Sequence, residues 1–252
     1  MLHFDNIVYG PIHSRRLGSS LGVNILPAVG KLCNFDCIYC ECGWNRDNIS
    51  GGTFPSAKDF ETALRGGLEK LAKDGTVLDS ITFSGNGEPT LNPHFPEIVD
   101  IAIALRDELA PTAKVTVFSN STTCGKPDVL AALKKVDNPV MKIDAPTSAW
   151  AELVNKPCCI YDLRTVVDNL HAFDGNFILQ TMFLRSDAFD SASPEVLGKW
   201  LDIVRELHPR EVMAYSIDRE TPQKALKKYS YDEISSFVKP LVDEGFIVQV
   251  KA

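Results

Sequence analysis

The 252-residue sequence has no apolar run approaching the roughly 18–20 residues that a membrane-spanning helix needs. Its opening stretch, MLHFDNIVYG, carries an acidic residue early and lacks both a basic segment and a long apolar core, so no secretory leader is expected. Positive charge is in deficit. With 26 Lys and Arg against 33 Asp and Glu, the net charge is −7, which argues against a broad nucleic-acid-binding face while leaving room for a local basic patch. Internal repeats, low-complexity tracts and linker-like stretches are also missing. These absences predict a cytoplasmic globular chain with no membrane partner. In that compartment disulfides are rare, and an odd count of seven cysteines suits a disulfide framework poorly. What is present, 44% hydrophobic and 23% charged residues, is ordinary for a packed domain, and the length fits one barrel-like α/β domain over 1–252.

Short apolar runs alternate with longer amphipathic ones. LGVNILPA (21–28), SITFSGNG (80–87), KVTVFSN (114–120), PVMKIDA (139–145), FILQTMFL (177–184) and EVMAYSI (211–217) are rich in Val, Ile, Phe and Thr and read as buried strands. NIVYG near the start and FIVQV near the end read as two more. Between them, helical spacing predicts helices over 56–75, 94–109, 127–136, 161–172, 194–207 and 231–244. Ser56, Ser193 and Ser230 are the expected caps and Gly75 a stop. Parallel strands need helical crossovers, so six strand–helix units imply a parallel sheet. The expected fold is a partial (β/α)6 barrel of parallel strands with flanking helices. A doubly wound open sheet is the alternative, and both gather function at the C-terminal strand ends.

Those ends carry the unusual polar residues: SGNGEPT, SNST, KIDAP and SIDRETP. Any one of them is also an ordinary turn sequence. Lys142 and Gln180 differ, because long polar side chains inside apolar strands need partners or a wet cavity.

The segment CNFDCIYCEC (33–42) holds four of the seven cysteines. Zinc, a disulfide knot or an iron–sulfur cluster would each use closely spaced thiols. Structural zinc usually draws two separated pairs, and a second pair is hard to find: Cys42 stands too near Cys40, Cys124 is alone, and Cys158–Cys159 are vicinal. An iron–sulfur cluster suits thiolates on one loop, and three ligands would leave one iron open.

The pattern CNFDCIYC resembles the Cys-x3-Cys-x-aromatic-Cys signature of radical S-adenosylmethionine (SAM) enzymes. SRRLGSSLGVN, GNGEPTLNP and SNST resemble the branch that contains wyosine-type tRNA-modifying enzymes and uncharacterised relatives. The resemblance covers essentially the whole chain. It implies that Cys33, Cys37 and Cys40 hold a [4Fe–4S] cluster whose fourth iron is chelated by the amino and carboxylate groups of SAM. Tyr39 would pack on the adenine edge, or simply anchor the loop. Gly85, Asn86, Gly87 and Glu88 correspond to the element that binds the SAM amino group, with Asn86 where a glycine is usual. Asn120, with Ser119 beside it, matches a ribose or carboxylate contact, and Asp144 and Gln180 point toward SAM or substrate.

The implied activity is reductive cleavage of SAM to a 5′-deoxyadenosyl radical and hydrogen abstraction from an unidentified substrate, a nucleoside or RNA leading. Activation of a glycyl-radical enzyme is an alternative, as is a non-catalytic iron–sulfur or zinc carrier. An electron donor such as flavodoxin or ferredoxin is implied as partner. Arg15, Arg16 and Arg219 are candidates for a phosphate or carboxylate clamp, with surface ion pairs as the plainer role.

Overall fold

A computed structural model describes residues 2–14, 17–45 and 52–252. Eight strands are laid side by side: β1 (Val8–Ser14), β2 (Gly18–Val23), β3 (Ser80–Phe83), β4 (Lys114–Ser119), β5 (Asn138–Lys142), β6 (Ile178–Arg185), β7 (Glu211–Ser216) and, after the two-residue β8 (Lys227–Lys228), β9 (Val248–Lys251). β1 is antiparallel to β2, every later neighbour in the order β2-β3-β4-β5-β6-β7-β9 is parallel, and β8 pairs with β6 off this path. The sheet curls into a partial barrel, with β1 and β9 as its two edges.

Among the described residues, seven helices supply the crossovers: α1 (Ala57–Lys73), α2 (Phe95–Leu109), α3 (Pro127–Leu133), α4 (Ser148–Val154), α5 (Leu163–Leu170), α6 (Pro194–Leu207) and α7 (Tyr231–Asp243). α1 starts where expected. Ser56 accepts from the Asp59 amide and Asp59 reaches back to the Ser56 amide, a capping box. Ser230 and Glu233 repeat the device on α7. Gly75 follows α1 at φ +68°, where a residue without Cβ ends a helix cheaply. Ser193 stands at the N-cap of α6, but its side chain makes no capping bond there. α4 was not expected. Thr147 starts it by accepting from the Trp150 amide, and only Ala151 and Val154 are buried along it, too few to mark a helical face.

The strand period of two separates the barrel's two faces. Leu21, Ile81, Val115 and Phe83 face outward and join the large core beneath the helices. Phe118, Val140, Ile178 and Met213 face inward and form an apolar floor. Beside that floor, hydroxyls line the lumen: Ser20 bonds Thr82 at 2.7 Å, and Ser80 bonds both Thr82 and Thr116 at 2.9 Å. One register level above the floor, Lys142 stands directly beside Gln180. Ser80 begins β3 whereas Lys142 ends β5, so polar residues line the lumen from its N-terminal to its C-terminal end.

Phe83 is fully buried between Phe60 and Phe95, with ring centroids 5.9 and 6.3 Å away. Phe83→Ala is expected to lower the unfolding free energy by about 3–5 kcal/mol. A urea titration checks this as a fall in midpoint at unchanged slope.

Candidate active site

The cysteine loop leaves β2 and is fixed before its first cysteine. Leu32 pairs with Gly87 like a parallel strand, its amide donating to Asn86 O at 2.8 Å and its carbonyl accepting from Glu88 N at 3.1 Å. Gly87 sits at φ +135°, and a Cβ there would lie 1.9 Å from Leu32 O, so only glycine permits this contact. The far side of the loop is clamped by the segment after α4. Asp36 N donates to Asn155 O at 2.8 Å, Ile38 N to Val154 O at 2.9 Å, and Cys158 N to Asn34 O at 2.8 Å.

Two polar side chains hold the loop from within, and neither carries a sequence signal. Lys31 is buried, with its ammonium donating to Asp36 Oδ1 at 3.2 Å and Gly43 O at 2.9 Å. Burial pulls its pKa down, but Cys40, Cys33 and Cys37 outweigh that and leave it raised. Asn45 donates to Cys33 O at 3.1 Å and Phe35 O at 3.2 Å.

Cys33, Cys37 and Cys40 all line one cavity of about 490 Å³ at the C-terminal ends of the strands. Burial pushes the Cys33 thiol well above its ordinary pKa and that of Cys37 to about 11. Cys40 goes the other way, to about 6, because the Cys42 thiol donates to it and Lys31 adds positive charge against the effect of burial. Side-chain amides aim at the sulfurs: Asn155 Nδ2 lies 3.4 Å from Cys37 Sγ, and Asn120 Nδ2 lies 3.8 Å from Cys33 Sγ. The Phe35 amide approaches Cys33 Sγ at 3.4 Å. Among the described residues, no three His, Cys, Asp or Glu side chains converge on a single metal ion. Three thiols on one loop, ringed by N–H donors, the buried Lys31 ammonium and the half-buried Lys142, are a donor set that fits an anionic iron–sulfur cluster.

Of the other expected site residues, Gly85, Gly87, Glu88, Asn120 and Gln180 line the same cavity, with Ser119 and Lys142 beside them. Arg219 is at the rim, 2.5 Å from Glu41 on the cysteine loop. Both partners are well exposed, so this pair adds at most about 1 kcal/mol. Glu88 is buried with both oxygens engaged: Oε1 accepts from Thr90 Oγ1 at 2.6 Å, and Oε2 from Asn120 N at 2.7 Å. Burial raises its pKa, and those donors oppose the rise.

Three expected contacts lie behind the cavity wall. Tyr39 is buried in a second apolar cluster, and its hydroxyl donates to Asp144. Asp144 is fully used, accepting also from Asn155 Nδ2 at 2.6 Å and Met182 N at 2.9 Å. The Asn86 side chain turns to the start of the chain, where it bonds Phe4 N, Phe4 O and Pro27 O. Arg15 and Arg16 lie outside the described residues.

Lys142 is one of the cations that line the cavity. Its ammonium donates to Tyr39 OH at 2.9 Å and approaches Tyr215 OH at 3.4 Å. Burial pulls its pKa down, yet Tyr215, Asp144, Cys37 and Cys40 together leave it raised, so the group is charged.

The sequence profile of the radical SAM superfamily matches residues 28–184, more than half of the chain. The chain belongs to the radical SAM superfamily. It is therefore an enzyme of that class, whose cofactors are a [4Fe–4S] cluster and SAM. It is 30% identical over 232 residues to a UPF0026 protein of Helicobacter pylori, covering 90% of this chain and 71% of that one. The structure of Streptococcus suis SuiB bound to precursor peptide SuiA is similar with a TM-score of 0.67 at 16% identity. That match takes in 92% of this chain but only 48% of SuiB, so this chain spans about half its length. A structure of TYW1 with a lysine-pyruvate adduct bound is similar with a TM-score of 0.64 at 14% identity, over 92% of this chain and 76% of that one. At these identities the likeness to radical SAM structures is one of fold. Among the described residues, no helix is long and apolar enough to cross a membrane.

Asn155 serves Asp144, Cys37 and Tyr39 at once. Asn155→Ala leaves the buried Asp144 carboxylate short of a donor and is expected to cost about 1–3 kcal/mol of stability. Chemical denaturation of the full chain measures the loss.

Proposed function

We propose that Cys33, Cys37 and Cys40 hold the [4Fe–4S] cluster, that SAM lies along the tips of β3 and β4, and that the substrate enters beside β5, β6 and β7. The observation that carries this reading is that three thiols of one loop share one cavity with Gly85, Gly87, Asn120, Lys142 and Gln180. With both cofactors bound, reductive cleavage of SAM supplies a 5′-deoxyadenosyl radical that abstracts hydrogen from the substrate.

The protein's own part is to bind, orient and exclude water. Glu88 joins the β3 tip to the β4 tip through Thr90 and the Asn120 amide, so it positions SAM contacts rather than making them. Leu17, Phe4, Tyr9 and Phe118 supply apolar wall and keep competing hydrogen donors out. Lys142 and Gln180, adjacent across β5 and β6, form the polar pole that meets the substrate. A nucleoside or RNA is the substrate class favoured, on the motif resemblance to the wyosine branch and on the polar lumen. The electron comes from a donor of the flavodoxin or ferredoxin kind.

Anaerobic reconstitution with iron and sulfide, followed by SAM and dithionite, is expected to yield 5′-deoxyadenosine. Cys33→Ala, Cys37→Ala and Cys40→Ala should each reduce it to background, whereas Cys42→Ala should retain it. If Cys42→Ala loses the cluster as fully as Cys40→Ala, the ligand set is wrong. Lys142→Met removes a half-buried positive charge acting on Cys37 and Cys40. It should lower the cluster midpoint potential by something on the order of tens of millivolts. An electron paramagnetic resonance redox titration reads that shift, and an unchanged potential would place Lys142 outside the cluster's field.

A further inference from the structure

Cys158 and Cys159 are adjacent in sequence, both are free and exposed, and neither lines the cavity. They stand on the outer clamp of the cysteine loop. Cys158 N donates to Asn34 O at 2.8 Å, Pro157 bridges to Phe35, and Asp36 N is shared between Asn155 O at 2.8 Å and Lys156 O at 3.1 Å. Their sulfurs touch the same loop through two asparagines. Asn45 Nδ2 approaches Cys158 Sγ at 3.4 Å while bonding Cys33 O, and Asn34 Nδ2 approaches Cys159 Sγ at 3.8 Å. Asn34 Oδ1 in turn accepts from Asn120 Nδ2 at 2.6 Å, the amide that approaches Cys33 Sγ.

We propose that Cys158–Cys159 is an oxidisable dithiol site, which takes a small disulfide as its oxidant and loosens the cysteine loop when it closes. The exchange balances. One thiolate attacks the oxidant and expels its first thiol, and the second cysteine sulfur then attacks the mixed disulfide and expels the other. One S–S bond forms in the protein, one breaks in the oxidant, and the two protons of the cysteine thiols end on the two released thiols. Adjacent Cα atoms are about 3.8 Å apart across a trans peptide, below the roughly 4.4–6.8 Å that a relaxed disulfide spans. The Cys158–Cys159 backbone must therefore distort as the ring closes, and the Cys158 amide that donates to Asn34 O is attached to the same Cα. Closure also withdraws both sulfurs from Asn34 and Asn45.

The consequence for a cluster rests on the ligand assignment above, but the device itself does not. The reconstituted holoprotein is treated anaerobically with glutathione disulfide and digested, and hydrogen exchange is followed in the peptide covering residues 34–38. The expected result is a 158–159 peptide two hydrogens lighter, with exchange across 34–38 accelerated at least several-fold. Cys158→Ser and Cys159→Ser should each abolish both changes. A peptide that stays reduced, one that carries only a glutathione adduct, or a closed disulfide with unchanged exchange at 34–38 would overturn the proposal. Failure to take up iron would instead overturn the assignment of Cys33, Cys37 and Cys40, since the exchange is read on the polypeptide alone.

Discussion

A carboxylate removed from water must find its solvation in the protein, and Asp144 finds it from three directions. Tyr39 comes from the cysteine loop, Asn155 from the end of α4, and the Met182 amide from β6. The group can only be satisfied when loop, helix end and barrel strand are all in place. Lys142 adds the balancing charge through Tyr39. The site is therefore assembled around a buried ionic network, not pinned at its cavity-facing residues. Such networks specify one arrangement strongly when every member is satisfied.

The same logic explains the division of labour among polar residues. Glu88, Asp144, Asn86 and Asn155 are buried and saturated with bonds to the protein. They have little left to offer a ligand. Lys142 and Gln180 keep part of their capacity turned to the lumen, and Gly85 and Gly87 offer backbone. Binding groups lie on a rigid frame whose most conspicuous acids belong to the frame itself.

Much of this was legible in the sequence, and the reasons are local. Buried parallel strands read as apolar runs, capping boxes announce α1 and α7, and the cysteine spacing is a pattern within eight residues. Lys142 and Gln180 stood out because strands rarely carry them. What stayed hidden depends on distance along the chain. Asn155 meets Cys37 from 118 residues away, and Asn45 and Lys31 look like any loop residues. Tyr39 and Asp144 occupy the right neighbourhood, yet side-chain direction decides which side of a wall a residue serves, and spacing does not encode it. α4 buries only Ala151 and Val154, too few apolar positions to mark a helical face.

Asn86 stands between two glycines that each have a steric reason to be there. A Cβ on Gly85 would lie 2.1 Å from Asn24 Oδ1, and one on Gly87 would lie 1.9 Å from Leu32 O. Position 86 alone has an outward path, and its amide uses that path to stitch down Phe4 and Pro27. A glycine at position 86 would remove this stitch and leave the opening segment to be fastened by other means. Residue 86 and the segment around residue 4 should thus drift as a linked pair through the lineage, while 85 and 87 stay fixed.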